Sequence, residues 1–188
     1  MDVLLRAILD DNRATVEGLL TADSSLVAGR VSEARFYDQK IFHWLYVGDT
    51  ALHLAAAGYR VGIVKLLLAA GSDPNASQNH RHSGPLHYAA DGYIIGPAWN
   101  PERQVQTIER LLKAGGDVNA QDKNGAAALH RAVRTRCAAA ARVLLKGGRG
   151  SDSEEQAWIE RVSSRGAEYR AGWNGDSRST SSTTRDHR

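Results

Sequence analysis

Three histidines recur in one local setting: His53 in Ala51-Leu52-His53-Leu54, His87 in Pro85-Leu86-His87-Tyr88, and His130 in Ala128-Leu129-His130-Arg131. Imidazoles can bind a metal or move a proton near neutral pH. The question is whether these three, the pair His80 and His82, and the single cysteine Cys137 form a site. No carboxylate or second cysteine supports His80 and His82 at ligand spacing. Cys137 precedes Ala138-Ala139-Ala140-Ala141, the setting of a small packed hydrophobe rather than a nucleophile. The chain has no glycine-rich phosphate loop, no His-Glu-x-x-His helix and no Gly-x-Ser-x-Gly elbow. It is read as non-catalytic, with no metal, no cofactor and no small-molecule substrate. The three histidines are read as scaffold, because of what recurs around them.

Around each Leu-His pair the chain repeats itself. Gly48-Asp49-Thr50-Ala51-Leu52-His53 is followed by Ile63-Val64-Lys65-Leu66-Leu67-Leu68 and Gly71-Ser72-Asp73-Pro74-Asn75-Ala76. Gly84-Pro85-Leu86-His87 is followed by Ile108-Glu109-Arg110-Leu111-Leu112 and Gly115-Gly116-Asp117-Val118-Asn119-Ala120. Ala127-Ala128-Leu129-His130 is followed by Val143-Leu144-Leu145. His53 and His87 stand 34 apart, whereas His87 and His130 stand 43 apart. The excess falls between the two apolar runs of the second copy, at 91–102. Each run has helical spacing. Gly71 and Gly115 sit just past the second runs, as helix C-caps, and the Asp-x-Asn turns at Asn75 and Asn119 reverse the chain. Two such short helices cannot bury their apolar faces alone, so neighbours must stack into one core.

These motifs resemble the ankyrin-repeat family, over roughly residues 1–148 if Leu4–Leu9 and Val16–Leu20 are taken as a degenerate first copy. The resemblance implies an all-α solenoid of stacked helix-turn-helix pairs with β-hairpin-like finger loops. Repeats are expected near 1–25, 48–80, 82–122 and 124–148. It also implies a protein partner of unknown identity, bound through the fingers and the concave helical face. The family's Thr-Pro-Leu-His motif implies a histidine bonded to backbone and to the threonine hydroxyl. Here only Thr50 keeps that threonine, so His53 should have the hydroxyl while His87 and His130 lack it.

Four segments depart from the repeat. Leu26 to Val47 includes Phe36-Tyr37 and Ile41-Phe42-His43-Trp44-Leu45-Tyr46-Val47, β-branched and aromatic enough for a strand of an enlarged finger. Half its rings are expected to pack downward; the alternative is an aromatic finger anchoring a partner. The insertion 91–101 holds two Gly and two Pro and is read as a loop, ordered or mobile, that Trp99 could anchor. From Arg131 to Arg149 there are six basic residues and no acid, read as a solvated basic repeat split between two surfaces, with an anionic polymer such as nucleic acid as the alternative partner. At the C-terminus, 149–171 is read as a possible capping helix carrying Trp158, Ile159 and Val162, and 172–188 as a disordered tail.

Composition agrees with one domain: 188 residues, 42% hydrophobic and 24% charged, at net charge +3. No apolar run is long enough for a membrane span, and no secretory signal is read at the N-terminus. One cysteine fits a reducing, cytoplasmic setting. The partner-binding candidates are Trp44, Tyr46, Tyr88, Arg81, Arg131 and Arg134.

Overall fold

The computed structural model describes residues 1–37, 40–92 and 99–147. The expected cap, the tail and positions 93–98 of the insertion lie outside these residues. The described helices come in four pairs: α1 (Asp2–Leu9) with α2 (Arg13–Ala22), α3 (Ala51–Ala57) with α4 (Val61–Ala69), α5 (Pro85–Ala90) with α6 (Pro101–Lys113), and α7 (Ala128–Arg134) with α8 (Ala138–Gly147). The degenerate first copy is therefore a genuine pair. Asn12 caps its second helix, its Oδ1 accepting the Thr15 N–H at 3.1 Å.

The paired helices meet at tight turns. Asp11, Tyr59 and Arg136 occupy equivalent turn positions, all with φ between 52° and 59°. In the third pair the insertion stands in place of this turn. First helices stack as an inner row, α1 on α3 on α5 on α7, and second helices as an outer row, α2 on α4 on α6 on α8. Between the rows lie Leu4, Ile8, Leu52, Leu54, Ile63, Leu67, Ile108, Leu111 and Leu144, all fully buried. Each such side chain contributes about 1.5–3 kcal/mol against the entropy of ordering it.

Fingers join one pair to the next. Gly71 and Gly115 end α4 and α6 with φ of 93° and 90°. The Asn75 side chain then ties neighbouring repeats: its Nδ2 donates to the Gly115 carbonyl at 2.9 Å and its Oδ1 accepts the Asp117 N–H at 2.7 Å. Asn119 repeats the local turn, its N–H donating to Asp117 Oδ1. Farther out, the His80 N–H donates to the Val47 carbonyl and the Lys123 N–H to the Arg81 carbonyl. Successive fingertips are thus linked by backbone.

The long first finger is a hairpin, with β1 (Arg35–Tyr37) antiparallel to β2 (His43–Leu45) and Phe36 opposite Trp44. Strand alternation buries Ile41, His43 and Leu45 and turns Trp44 outward. The buried side lies on the inner helices. A Cβ built on Gly58, at the end of α3, would stand 2.7 Å from Ile41 Cδ1. The His43 ring packs on Tyr88 with centroids 4.7 Å apart. Every residue of α3 and α5 is buried.

This corrects the expectation of an open helical face bearing Tyr88 and Arg131. Both stand on the inner helices, one position after the repeat histidine, but Tyr88 is sealed beneath the hairpin. Arg131 is drawn into ion pairs and is only 3% exposed. Neither can touch a partner in this structure.

Candidate functional site

The recurrent histidines bind backbone, as the repeat implies. The Thr50, Gly84 and Ala127 N–H groups donate to Nδ1 of His53, His87 and His130 at 3.0, 3.1 and 3.1 Å. Each Nδ1 is therefore an acceptor, and the ring proton sits on Nε2. That proton bridges to the next repeat: His53 Nε2 donates to the Ser83 carbonyl at 2.9 Å and His87 Nε2 to the Ala126 carbonyl at 3.0 Å. The Thr50 hydroxyl lies 3.0 Å from His53 Nδ1, while Gly84 and Ala127 have none to offer. Burial holds both His53 and His87 below the usual imidazole value. His130 is exposed, and no described residue bonds its Nε2.

A buried polar core runs beneath the hairpin. Asp49 accepts from the Tyr46 N–H at 2.6 Å, the Tyr88 hydroxyl at 2.7 Å and Asn79 Nδ2 at 2.7 Å. Burial, with the Asp49 charge alongside, pushes the Tyr88 hydroxyl far above its usual range. Beside it, Arg131 reaches Asp91 Oδ2 at 2.9 Å, Asp122 Oδ2 at 2.7 Å and Ser83 Oγ at 2.7 Å. Arg134 adds a contact of 3.0 Å to Asp91 Oδ1. Although burial opposes ionisation, hydrogen bonds, the Arg131 bond first among them, lower the Asp122 carboxyl to about 2. His43 and Arg131 lower Asp91 likewise. Two arginines of the basic stretch are thus neutralised within the chain, while Arg136, Arg142 and Lys146 stay exposed.

Among the described residues no group of three or more His, Cys, Asp and Glu could hold a metal. His80 Nε2 lies 3.3 Å from the Lys123 ammonium, a poor setting for a cation. Cys137 is buried and its thiol pushed up by that burial, so it is a weak nucleophile. Trp99 donates to Gln104 Oε1 and packs against the core, anchoring the end of the insertion.

What remains outward is the far face of the hairpin. Phe36 and Trp44, partners across the sheet, have ring centroids 5.3 Å apart and are 40% and 47% exposed. Phe42 meets the Phe36 edge at 5.3 Å. Trp44 stacks on Tyr46 at 6.2 Å, and the Arg81 guanidinium lies 5.2 Å from the Tyr46 centroid while donating to the Tyr46 hydroxyl. Val47, next in sequence, is 49% exposed. Of the candidates, Trp44, Tyr46 and Arg81 come together here, whereas Tyr88, Arg131 and Arg134 belong to the polar core. Phe36, Val47 and Lys123 join the surface without having been named as candidates. The alternation of Ile41, His43 and Leu45 with Phe42, Trp44 and Tyr46 was the signal for the hairpin's two faces.

Comparison with known proteins agrees with this architecture. The family model described as "Ankyrin repeat" matches residues 47–79 and 83–123. Among similar proteins, the mouse "Ankyrin repeat and SOCS box protein 6" is 39% identical over 84 residues, covering 45% of this chain and 18% of that protein. "Alpha-latrotoxin-Lhe1a" of Latrodectus hesperus is 36% identical over 88 residues, covering 46% of this chain and 6% of the toxin. "Neurogenic locus notch homolog protein 1" of Xenopus laevis is 32% identical over 131 residues, covering 57% of this chain and 5% of that protein. The chain therefore spans less than a fifth of the length of these relatives.

Proposed function

The chain carries ankyrin repeats, and on that premise we propose that it is a non-catalytic protein-binding scaffold whose contact surface is the finger edge, led by the outer face of the β1–β2 hairpin. Ankyrin repeats are in general protein–protein interaction modules without chemistry of their own. The carrying observation is the run of rings Phe36, Trp44 and half-buried Tyr46 along the hairpin, with Phe36, Trp44 and the adjoining Val47 exposed to solvent. Single exposed apolar residues are ordinary, but a contiguous aromatic patch on a rigid element is what a partner covers. The hairpin covers the inner side of α3 and α5, which supports a contact on its outer side and the neighbouring fingertips. A cytoplasmic setting is part of the proposal; it is supported by a single cysteine with no disulfide partner in the chain.

The test is affinity capture from native lysate with quantitative mass spectrometry, wild type against a Trp44→Ala, Tyr46→Ala double variant. Partners are expected to disappear from the variant while its melting curve keeps one cooperative transition. An unchanged set of captured proteins would overturn the reading.

A further inference from the structure

The finger edge changes character along its length. At the hairpin it is apolar: the rings of Phe36, Trp44 and Tyr46, with Val47 beside them. From the next fingertip onward it is basic. His80, Arg81 and His82 occupy the second tip and Lys123 the third, at positions made equivalent by the backbone bonds from His80 to Val47 and from Lys123 to Arg81. Arg30 lies beside them, bonded to the Gly48 carbonyl and to Gln78.

The charges on this edge are not cancelled within the chain. Among the described residues, Arg30, Arg81 and Lys123 form no ion pair with a carboxylate. Arg81 bonds the Tyr46 hydroxyl instead, and Lys123 faces His80. The nearby acids are engaged elsewhere: Asp49 within the core by Tyr88 and Asn79, Asp122 by Arg131, and Asp2 and Glu33 by Arg35. Arg81 is the junction, its guanidinium packed on the last ring of the aromatic run and its backbone bonded to the tip carrying Lys123.

Resting on the scaffold reading, we propose that this edge receives an extended peptide segment of a partner protein, with an aromatic or leucine anchor on Phe36 and Trp44 followed by acidic residues over Arg81 and Lys123. Steps of 5.3 Å from Phe36 to Trp44, 6.2 Å on to Tyr46 and 5.2 Å to the Arg81 guanidinium, with Lys123 on the adjoining tip, trace a path that about six residues of extended chain can follow. Apolar contact on the rings supplies the anchor. The acidic residues gain complementary charge at the rim, which fixes the direction of the segment and speeds its arrival. Arg81, stacked on Tyr46, is held ready to meet a carboxylate in bidentate fashion with little further loss of entropy.

The test selects dodecapeptides from a random phage-displayed library on the full chain and measures the enriched peptides by fluorescence anisotropy. The enriched sequences are expected to carry an aromatic or leucine residue followed by at least two Asp or Glu. Trp44→Ala and the pair Arg81→Glu, Lys123→Glu should each weaken them by tenfold or more, and Lys113→Glu on the outer row should leave them unchanged. Lys123→Glu alone, a change at an exposed side chain, should weaken them several-fold and serves where Arg81→Glu fails to fold. No enrichment, or binding indifferent to these charge reversals, overturns the proposal. Enriched peptides without acidic residues that still depend on Trp44 overturn it while leaving the scaffold reading standing. A twenty-nucleotide poly-uridine that displaces the peptides and binds more tightly overturns it in favour of an anionic polymer.

Discussion

The Tyr88 hydroxyl donates to Asp49 Oδ2 at 2.7 Å, with both side chains fully out of solvent. Asp49 also accepts from the Tyr46 backbone and from Asn79, so one carboxylate ties the hairpin, the second finger and α5 together. A buried hydrogen bond to a charge is worth about 1.5–3 kcal/mol. Tyr88→Phe, which keeps the ring, is expected to destabilise by that amount in urea titration with little change in m-value. A loss under half a kcal/mol would mean that the bond contributes no net stability.

The repeat histidines should differ by position. His53→Ala leaves the Thr50 N–H without a partner in a buried site and takes one of two donors from the Ser83 carbonyl, which keeps Asn79 Nδ2, and is expected to cost about 2–4 kcal/mol. His130→Ala, at an exposed position with only its own N-cap bond, should cost about 0.5 kcal/mol or less. Equal melting temperatures for the two variants would contradict the bridging role assigned to Nε2.

Arg131 and Arg134 both bond Asp91, yet their variants should separate widely. Arg131→Ala takes from buried Asp122 its charged partner and leaves Asp91 with only the exposed Arg134 and His43, and is expected to cost about 3–5 kcal/mol by denaturant unfolding. Arg134, with its side chain 65% exposed, should cost under about 1 kcal/mol on the same change.

Stability should rise with pH in two steps. His53 and His87 titrate lower in the fold than their ordinary 6.5, so below that pH the unfolded chain takes up protons first and stability starts to fall. Asp122 is lowered from 3.8 to about 2, and Asp91 is lowered too. Their contribution is complete above about pH 4 and is lost as pH falls through 3.8 toward 2. Melting temperatures between pH 2 and 8 should show a plateau above neutrality, a first decline below 6.5 and a steeper one below 4. Asp122→Asn should flatten the acid step.

His82 occupies the finger position that Gly48 and Gly125 fill in neighbouring repeats, and shares their positive φ: 52° against 89° and 77°. An exposed non-glycine residue in this region carries strain of about 1 kcal/mol. His82→Gly is expected to raise stability by roughly 0.5–1 kcal/mol, and His82→Ala to raise it by less or not at all. A destabilised His82→Gly would show that the imidazole makes contacts that outweigh its backbone.

The repeat was legible because its signals are local: a Leu-His pair, a leucine run, a glycine stop and an Asp-x-Asn turn each lie within a few residues. The Thr50 hydroxyl at His53 and its lack at His87 and His130 followed from single positions. The hidden state of Tyr88 and Arg131 did not, because each depends on residues far along the chain. Tyr88 is covered by His43, and Arg131 is neutralised by Asp91 and Asp122. Reading the position after the repeat histidine gave the right helix row but not what lay on it. The aromatic finger was legible as a strand, but fewer of its rings turn inward than the expected half: His43 alone is buried, while Phe36 and Trp44 are exposed. Which residues face solvent followed only once the hairpin had a surface to lie on.

The hairpin precedes in the chain the helices it covers. During synthesis Ile41, His43 and Leu45 emerge before α3 and α5 exist, and the resting place of His43 against Tyr88 and Asp91 is made last. At roughly 5–20 residues per second this interval lasts seconds, with both faces of an aromatic hairpin open to solvent or to a chaperone. Among the described residues, the most solvent-exposed aromatics, Phe36 and Trp44, thus also emerge early, and a nascent-chain binder has its opportunity before α5 closes beneath them.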